Sequence, residues 1–271
     1  DISVGATTAI AGSVLLRILC GGNSRPESLQ APIIVAFLIA CVVAMLFGAF
    51  NGILVAVFKI QPMIATLILY TAGRSIAAWI NNNELPVISD PTFTYFGEFI
   101  PGIPIPTPFF IAVACMIIIG LTLKFTNLRL YTQAVGINEN ASRLNGLNPV
   151  FIKILSFVIL GLCVGVVGLI KVSRISTINY SVIAKDIEMD AILAVALGGN
   201  ALSGGKFNML ASIIGAYVIQ CLTTTLYKFN VRSDALPAYK AVVVILLVVV
   251  SAPVVREKCN AFMAKRKVKE A

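Results

Sequence analysis

The chain of 271 residues is 58% hydrophobic and only 12% charged, with a mean hydropathy of +0.94. Soluble domains run near about 45–50% apolar and about 25% charged, so this composition excludes a water-facing globule and makes the membrane span the unit of reading. The net charge of +9 is then an orientation signal and not the footprint of a nucleic-acid partner, and the absence of histidine excludes Ser-His-Asp, Cys-His and imidazole-metal chemistry.

About eight apolar segments follow one another, which predicts an all-α, polytopic transmembrane helical bundle. They cover 2–20, 32–58, 63–80, 107–123, 151–171, 187–198, 208–227 and 238–255. The third holds Arg74, about six residues from its outer end, where a long side chain can snorkel or find a structural partner; a role in a transport pathway is the alternative. The loop 81–106 carries Pro86, Pro91, Pro101, Pro104 and Pro106 and no basic residue, and reads as a rigid, extracytoplasmic, non-helical segment. In the fifth segment Gly161 and Gly165 form a G-x-x-x-G face for close helix packing, within the bundle or between subunits. The sixth is short and led in by Asp186, Glu188 and Asp190. It fits a broken or partly inserted helix, or a full helix with its acidic end among the headgroups.

The six cysteines, Cys20, Cys41, Cys115, Cys163, Cys221 and Cys259, show no C-x-x-C spacing and read as small buried hydrophobes. Lys and Arg distribute roughly two to one in favour of the loops near 59, 124–150 and 199–207 together with the basic tail 256–271. That bias predicts a cytoplasmic C-terminus. The tail reads as an anchor near anionic lipid.

Two connecting segments invite a chemical reading. Gly198 to Phe207 looks like a phosphate-binding loop. Asn200 stands where the first glycine belongs and Phe207 where a Mg²⁺-binding hydroxyl belongs, so the chain itself is not expected to bind ATP. The stretch 134–149 predicts a short helix capped by Asn138 and stopped by Gly146 and Pro149. Ile137, Ala141 and Leu144 would share one face, and Glu139 and Arg143 would pair at i, i+4. Such a helix is either a handle for a soluble motor subunit or a plain connector.

Blocks along the chain resemble the inner-membrane permeases of bacterial ribose-type sugar ABC importers. They are Asp1-Ile2-Ser3-Val4-Gly5, Asn51-Gly52-Ile53-Leu54-Val55, Gln61-Pro62-Met63-Ile64-Ala65-Thr66-Leu67, Arg74, Gly102-Ile103-Pro104-Ile105-Pro106, Gly136-Ile137-Asn138 with Ala141 and Gly146, and Glu188-Met189-Asp190-Ala191-Ile192 followed by two glycine pairs. Residues 60–69 look closest to the galactofuranose branch. The run Asn140-Ala141-Ser142 is less alanine-rich than the family's coupling segment.

The resemblance implies a permease domain over 1–255 and no covalent chemistry. It implies about ten spans, of which the first two would be missing here, in a bacterial cytoplasmic (inner) membrane. ATP and Mg²⁺ would sit on a partner ATPase gripping the loop 124–150 at Gly136, Ile137, Asn138, Glu139, Ala141, Arg143, Leu144 and Gly146. The other implied partners are a periplasmic or lipid-tethered sugar-binding protein and a second permease copy or paralogue. Asp1, Asn51, Arg74, Glu188 and Asp190 stand as candidate pathway or gating residues; no residue is put forward as a metal ligand. An amino-acid or other small-solute ABC permease and an ion-coupled carrier are the alternatives.

Overall fold

The computed structural model describes residues 1–26, 28–100, 102, 104–200, 204–205, 207–232 and 235–251. The basic tail 256–271 with Cys259, residues 201–203 and 206 of the glycine-rich turn, Pro101 and Ile103, and the end of the predicted last segment lie outside the described residues. Among the described residues stand eleven helices and no strand: α1 (Val4–Cys20), α2 (Ile33–Ala56), α3 (Pro62–Ile80), α4 (Pro91–Thr94), α5 (Thr107–Phe125), α6 (Leu128–Ile137), α7 (Glu139–Leu144), α8 (Pro149–Ile175), α9 (Ile187–Leu197), α10 (Met209–Lys228) and α11 (Leu236–Ser251). Five of them, α2, α3, α5, α8 and α10, are long and apolar enough to cross a bilayer; α1 is apolar but shorter, at 17 residues.

The boundaries follow local chemistry. Gly21 closes α1 in the left-handed region, with φ +58°. Lys59 turns the chain at φ +55°, and Pro62 opens α3 where its missing N–H costs nothing. Asn148 caps α8 by accepting from the Phe151 N–H at 3.2 Å, and Pro149 follows at the first helical position. The loop 81–106 is not wholly non-helical as its prolines predict. Asp90 accepts from the Thr92 N–H at 2.8 Å and caps the single turn α4, because a proline that stops one helix is well placed to start the next.

Residues 1–189 form one compact unit and 190–271 a second. In the first unit α1 is the centre, with thirteen of its seventeen residues buried, from Gly5 to Cys20. It runs parallel to α3. At one end Thr66 Oγ1 accepts from the Ile2 N–H at 3.1 Å, and at the other Asn81 Nδ2 donates to the Ser13 carbonyl at 3.2 Å. Small residues let α2 and α8 cross closely. A Cβ on Gly161 would stand 2.5 Å from the Ala44 carbonyl oxygen, and one on Gly165 would stand 2.8 Å from Cys41 Sγ. The G-x-x-x-G face is thus occupied inside this chain. Gly161→Ala is expected to cost about 1–3 kcal/mol, read as a lower unfolding midpoint in detergent. The outward faces of α2 and α5 remain apolar, with Ile34, Leu46 and Ile118 at least 60% exposed, as suits lipid.

The second unit is held by α9 and α10. A Cβ on Gly198 would stand 2.6 Å from the Ala211 carbonyl oxygen, and Asn200 Nδ2 donates to Ser212 Oγ at 2.7 Å. Asp190 accepts from Lys240 Nζ at 2.7 Å. Lys240 thus has a fixed carboxylate partner.

Candidate functional site

Between α8 and α9 the chain folds back into the first unit. Ser176 turns it at φ +54°, and its carbonyl accepts from the Ile88 N–H at 2.9 Å. Ile178, Tyr180 and Ile183 are then buried among side chains of α1 and α3 such as Ile10, Leu69 and Ala77. Ala184 and Asp186 both take positive φ, so this stretch is not helical. It leads into α9, whose 11 residues span only about 16 Å against a hydrocarbon thickness of about 30 Å. The sixth segment is thus a short helix entered through a non-helical stretch, and α9 by itself is too short to cross a bilayer. The physical reason is that buried carbonyls of 176–186 find a partner other than their own helix.

That partner is Arg74. Its Nη1 donates to the carbonyls of Tyr180 at 2.7 Å and Ile183 at 3.0 Å. Arg74 thus has a structural partner, one of the readings its sequence position offers: the guanidinium satisfies non-helical backbone. Glu188, only 1% exposed, sits beside it at the start of α9. Arg74 Nη2 and Glu188 Oε2 are both buried and unpartnered, and they flank one point. A Cβ on Gly5 would stand 2.6 Å from Glu188 Oε2, 3.4 Å from Arg74 Nη2 and 2.5 Å from the Ala184 carbonyl oxygen.

Asp1 and Asn51 meet at the start of α1. Asp1 Oδ1 accepts from the Ser3 N–H and hydroxyl, each at 2.7 Å, and Asn51 Nδ2 donates to Ser3 Oγ at 2.9 Å and to Asp1 Oδ2 at 3.4 Å. Asn51, Ser3 and Thr66 are all buried. Sequence reasoning alone does not point to Ser3, Thr66 or Gly5 as site residues. The D-I-S-V-G spacing was the available signal, since a carboxylate two residues before a serine forms a compact local turn. Asp190, in the second unit, pairs with Lys240.

The connecting segment differs from its prediction in two ways. Asn138 does cap a helix, its Oδ1 accepting from the Ala141 N–H at 3.0 Å. Its own backbone is extended, however, with φ −154° and ψ 106°, so α6 and α7 are separate helices. Ile137 ends the first and cannot share a helical face with Ala141 and Leu144. Glu139 pairs with Lys153 Nζ at 2.6 Å, fastening α7 to α8, in place of the i, i+4 pair with Arg143. A local helical pair gains only about 0.3–0.5 kcal/mol, too little to hold Glu139 against a nearby Lys. Gly136, Ala141 and Arg143 are exposed, Ile137 is 68% exposed and Leu144 90%, while Val135 and Ser142 face inward. Gly146 ends the segment at φ +81°. Among the described residues no group of three or more metal-ligating side chains gathers.

Several known proteins are similar to this chain in sequence. The chain is 37% identical over 250 residues to the galactofuranose transporter permease protein YtfT of Escherichia coli (strain K12), covering 92% of the chain and 71% of that protein. It is 35% identical over 274 residues to the fructose import permease protein FruF of Bifidobacterium longum (strain NCC 2705), covering 99% and 74%. It is 34% identical over 254 residues to the ribose import permease protein RbsC of Escherichia coli (strain K12), covering 92% and 76%. No solved structure matches. The profile of the family described as branched-chain amino acid transport system / permease component matches residues 1–252, and the chain belongs to that family.

Proposed function

We propose that this chain is the membrane-spanning permease subunit of an ATP-driven sugar importer, working by alternating access in a bacterial inner membrane. The observation that carries the substrate class is that three relatives named for sugars, galactofuranose, fructose and ribose, each align over more than 90% of the chain. The geometry supports the rest. A permease must couple a soluble motor to a membrane pathway, and α6–α7 offers exposed apolar side chains on a short helix tied to α8. ATP and Mg²⁺ then belong to a partner ATPase that grips Gly136 to Gly146. A sugar-binding protein delivers the solute on the opposite face, and a second permease copy or paralogue completes the pathway. The positive-inside bias puts 124–150 and the C-terminus in the cytoplasm. The permease domain is 1–255, with about eight membrane segments in this chain.

The family's description names branched-chain amino acids, but the relatives named for a solute carry sugar names, so the amino-acid alternative has no support among them. Affinity purification in mild detergent, with mass spectrometry of the accompanying proteins, separates the two. An ATPase together with a binding protein that takes a sugar supports the proposal. A binding protein that takes amino acids moves the substrate class, and a chain that emerges alone from several detergents overturns the importer reading.

A further inference from the structure

We propose that Arg74 and Glu188 are the two halves of a buried electrostatic clamp that fastens the folded-back segment 176–186 onto α3, with Gly5 keeping the space between them clear. The inference rests on the permease reading only for its consequence in transport. Three observations carry it. Arg74 already grips the segment through the carbonyls of Tyr180 and Ile183. Its second terminal nitrogen is buried and free, and so is Glu188 Oε2, which follows the segment directly in sequence. Both atoms lie within van der Waals reach of the position a Gly5 Cβ would fill, so one small gap separates opposite charges in a poorly polarisable interior. Removing either charge leaves the other buried and uncompensated, which is the costly case for a buried pair. The segment has no helix of its own to fall back on, since Ala184 and Asp186 are in the left-handed region. Glu188 is therefore a positioning residue that acts through its charge. It holds Arg74 in place, and Arg74 holds the backbone that leads into α9.

The test places a thiol where the clamp hides it. Ile183→Cys sits at a buried position of the segment, 6% exposed in the parent side chain. Alkylation at residue 183 is read by peptide mass spectrometry in the complete protein in lipid nanodiscs, without solute or ATP. In that background Glu188→Gln and Arg74→Gln are each expected to raise the labelling rate at least about tenfold, since a broken buried pair is worth more than one decade. Glu188→Asp, which keeps the charge, stays within a few-fold of the parent. Arg74→Lys, which keeps the charge but replaces the planar fork of separate nitrogens with a single ammonium, opens the segment. The double variant Arg74→Gln/Glu188→Gln labels no faster than either single, because one clamp is lost once. The proposal is overturned if Glu188→Gln leaves residue 183 protected, if Glu188→Asp opens it as fully as Glu188→Gln, or if the two single effects multiply. Where the glutamine variants do not accumulate, the Asp and Lys variants decide alone. The labelling needs no transport, so a parent complex that fails to import sugar sinks the permease reading and leaves the clamp tested separately.

Discussion

Gly5→Ala is expected to lower the thermal unfolding midpoint in detergent by an amount corresponding to about 1–3 kcal/mol and to impair transport more than its size implies. The added methyl group would stand 2.5 Å from the Ala184 carbonyl oxygen and 2.6 Å from Glu188 Oε2. Neither neighbour can step aside cheaply. Ala184 is backbone in an already uncommon conformation, with φ +51°, and Glu188 is a buried charge. The methyl group would therefore push the folded-back segment off α1 and prise Glu188 from Arg74 in one move. Gly120→Ala is the matched control. It also lies within a helix, but nothing stands within 4 Å of its Cβ position, so it should be neutral or slightly stabilising through helix propensity. Equal midpoints for the two variants would show that the start of α1 does not depend on this close approach.

What was legible in the sequence was what local rules govern. Helix ends fell at Gly21, Pro32, Pro62 and Asn148-Pro149 because capping and proline chemistry act within a few residues. Arg74 is legible because a charge within an apolar run is expensive, whereas Asn51 and Glu188 are legible through the blocks that carry the resemblance. The fold-back at 176–186 was not legible as buried chain. Lys171, Arg174, Lys185 and Asp186 frame it, and a charged frame reads as surface. Two of its carbonyls, those of Tyr180 and Ile183, are satisfied from Arg74, more than a hundred positions away, which no window detects. The hydroxyls of Ser3 and Thr66 carry no signal in the sequence because such groups usually bond their own helix. Thr66 does so, donating to the Pro62 carbonyl at 2.9 Å while also accepting from Ile2. At Asn138 the same cap that announced α7 also broke α6 from it, so the apolar face drawn across the break never formed. The predicted Glu139–Arg143 pair fails for a related reason: Lys153 reaches Glu139 across an interhelical contact that spacing along one helix cannot show.

Leu144→Asp is expected to abolish ATP-driven uptake while leaving membrane insertion, yield and unfolding midpoint unchanged. Leu144 is 90% exposed on the six-residue helix α7, so its side chain buries almost nothing against its own protein. An exposed leucine on a helix fastened to the bundle through Glu139 and Lys153 has a use if another protein covers it. An apolar anchor seated in a partner's pocket is the kind of contact whose loss costs 2 kcal/mol or more, about a 30-fold weaker grip, before the added cost of burying a carboxylate there. Ile137→Asp, 68% exposed at the end of α6, should act in the same way though through a separate helix. Val135→Asp serves as the contrast. Val135 is only 7% exposed and packs within the protein, so that variant should lose stability and yield first. Retention of the ATPase on the purified permease and uptake into vesicles are the two readouts. Normal uptake by Leu144→Asp and Ile137→Asp would remove 136–146 as the motor's handle and leave α6–α7 a connector whose apolar side chains face nothing but solvent or headgroups.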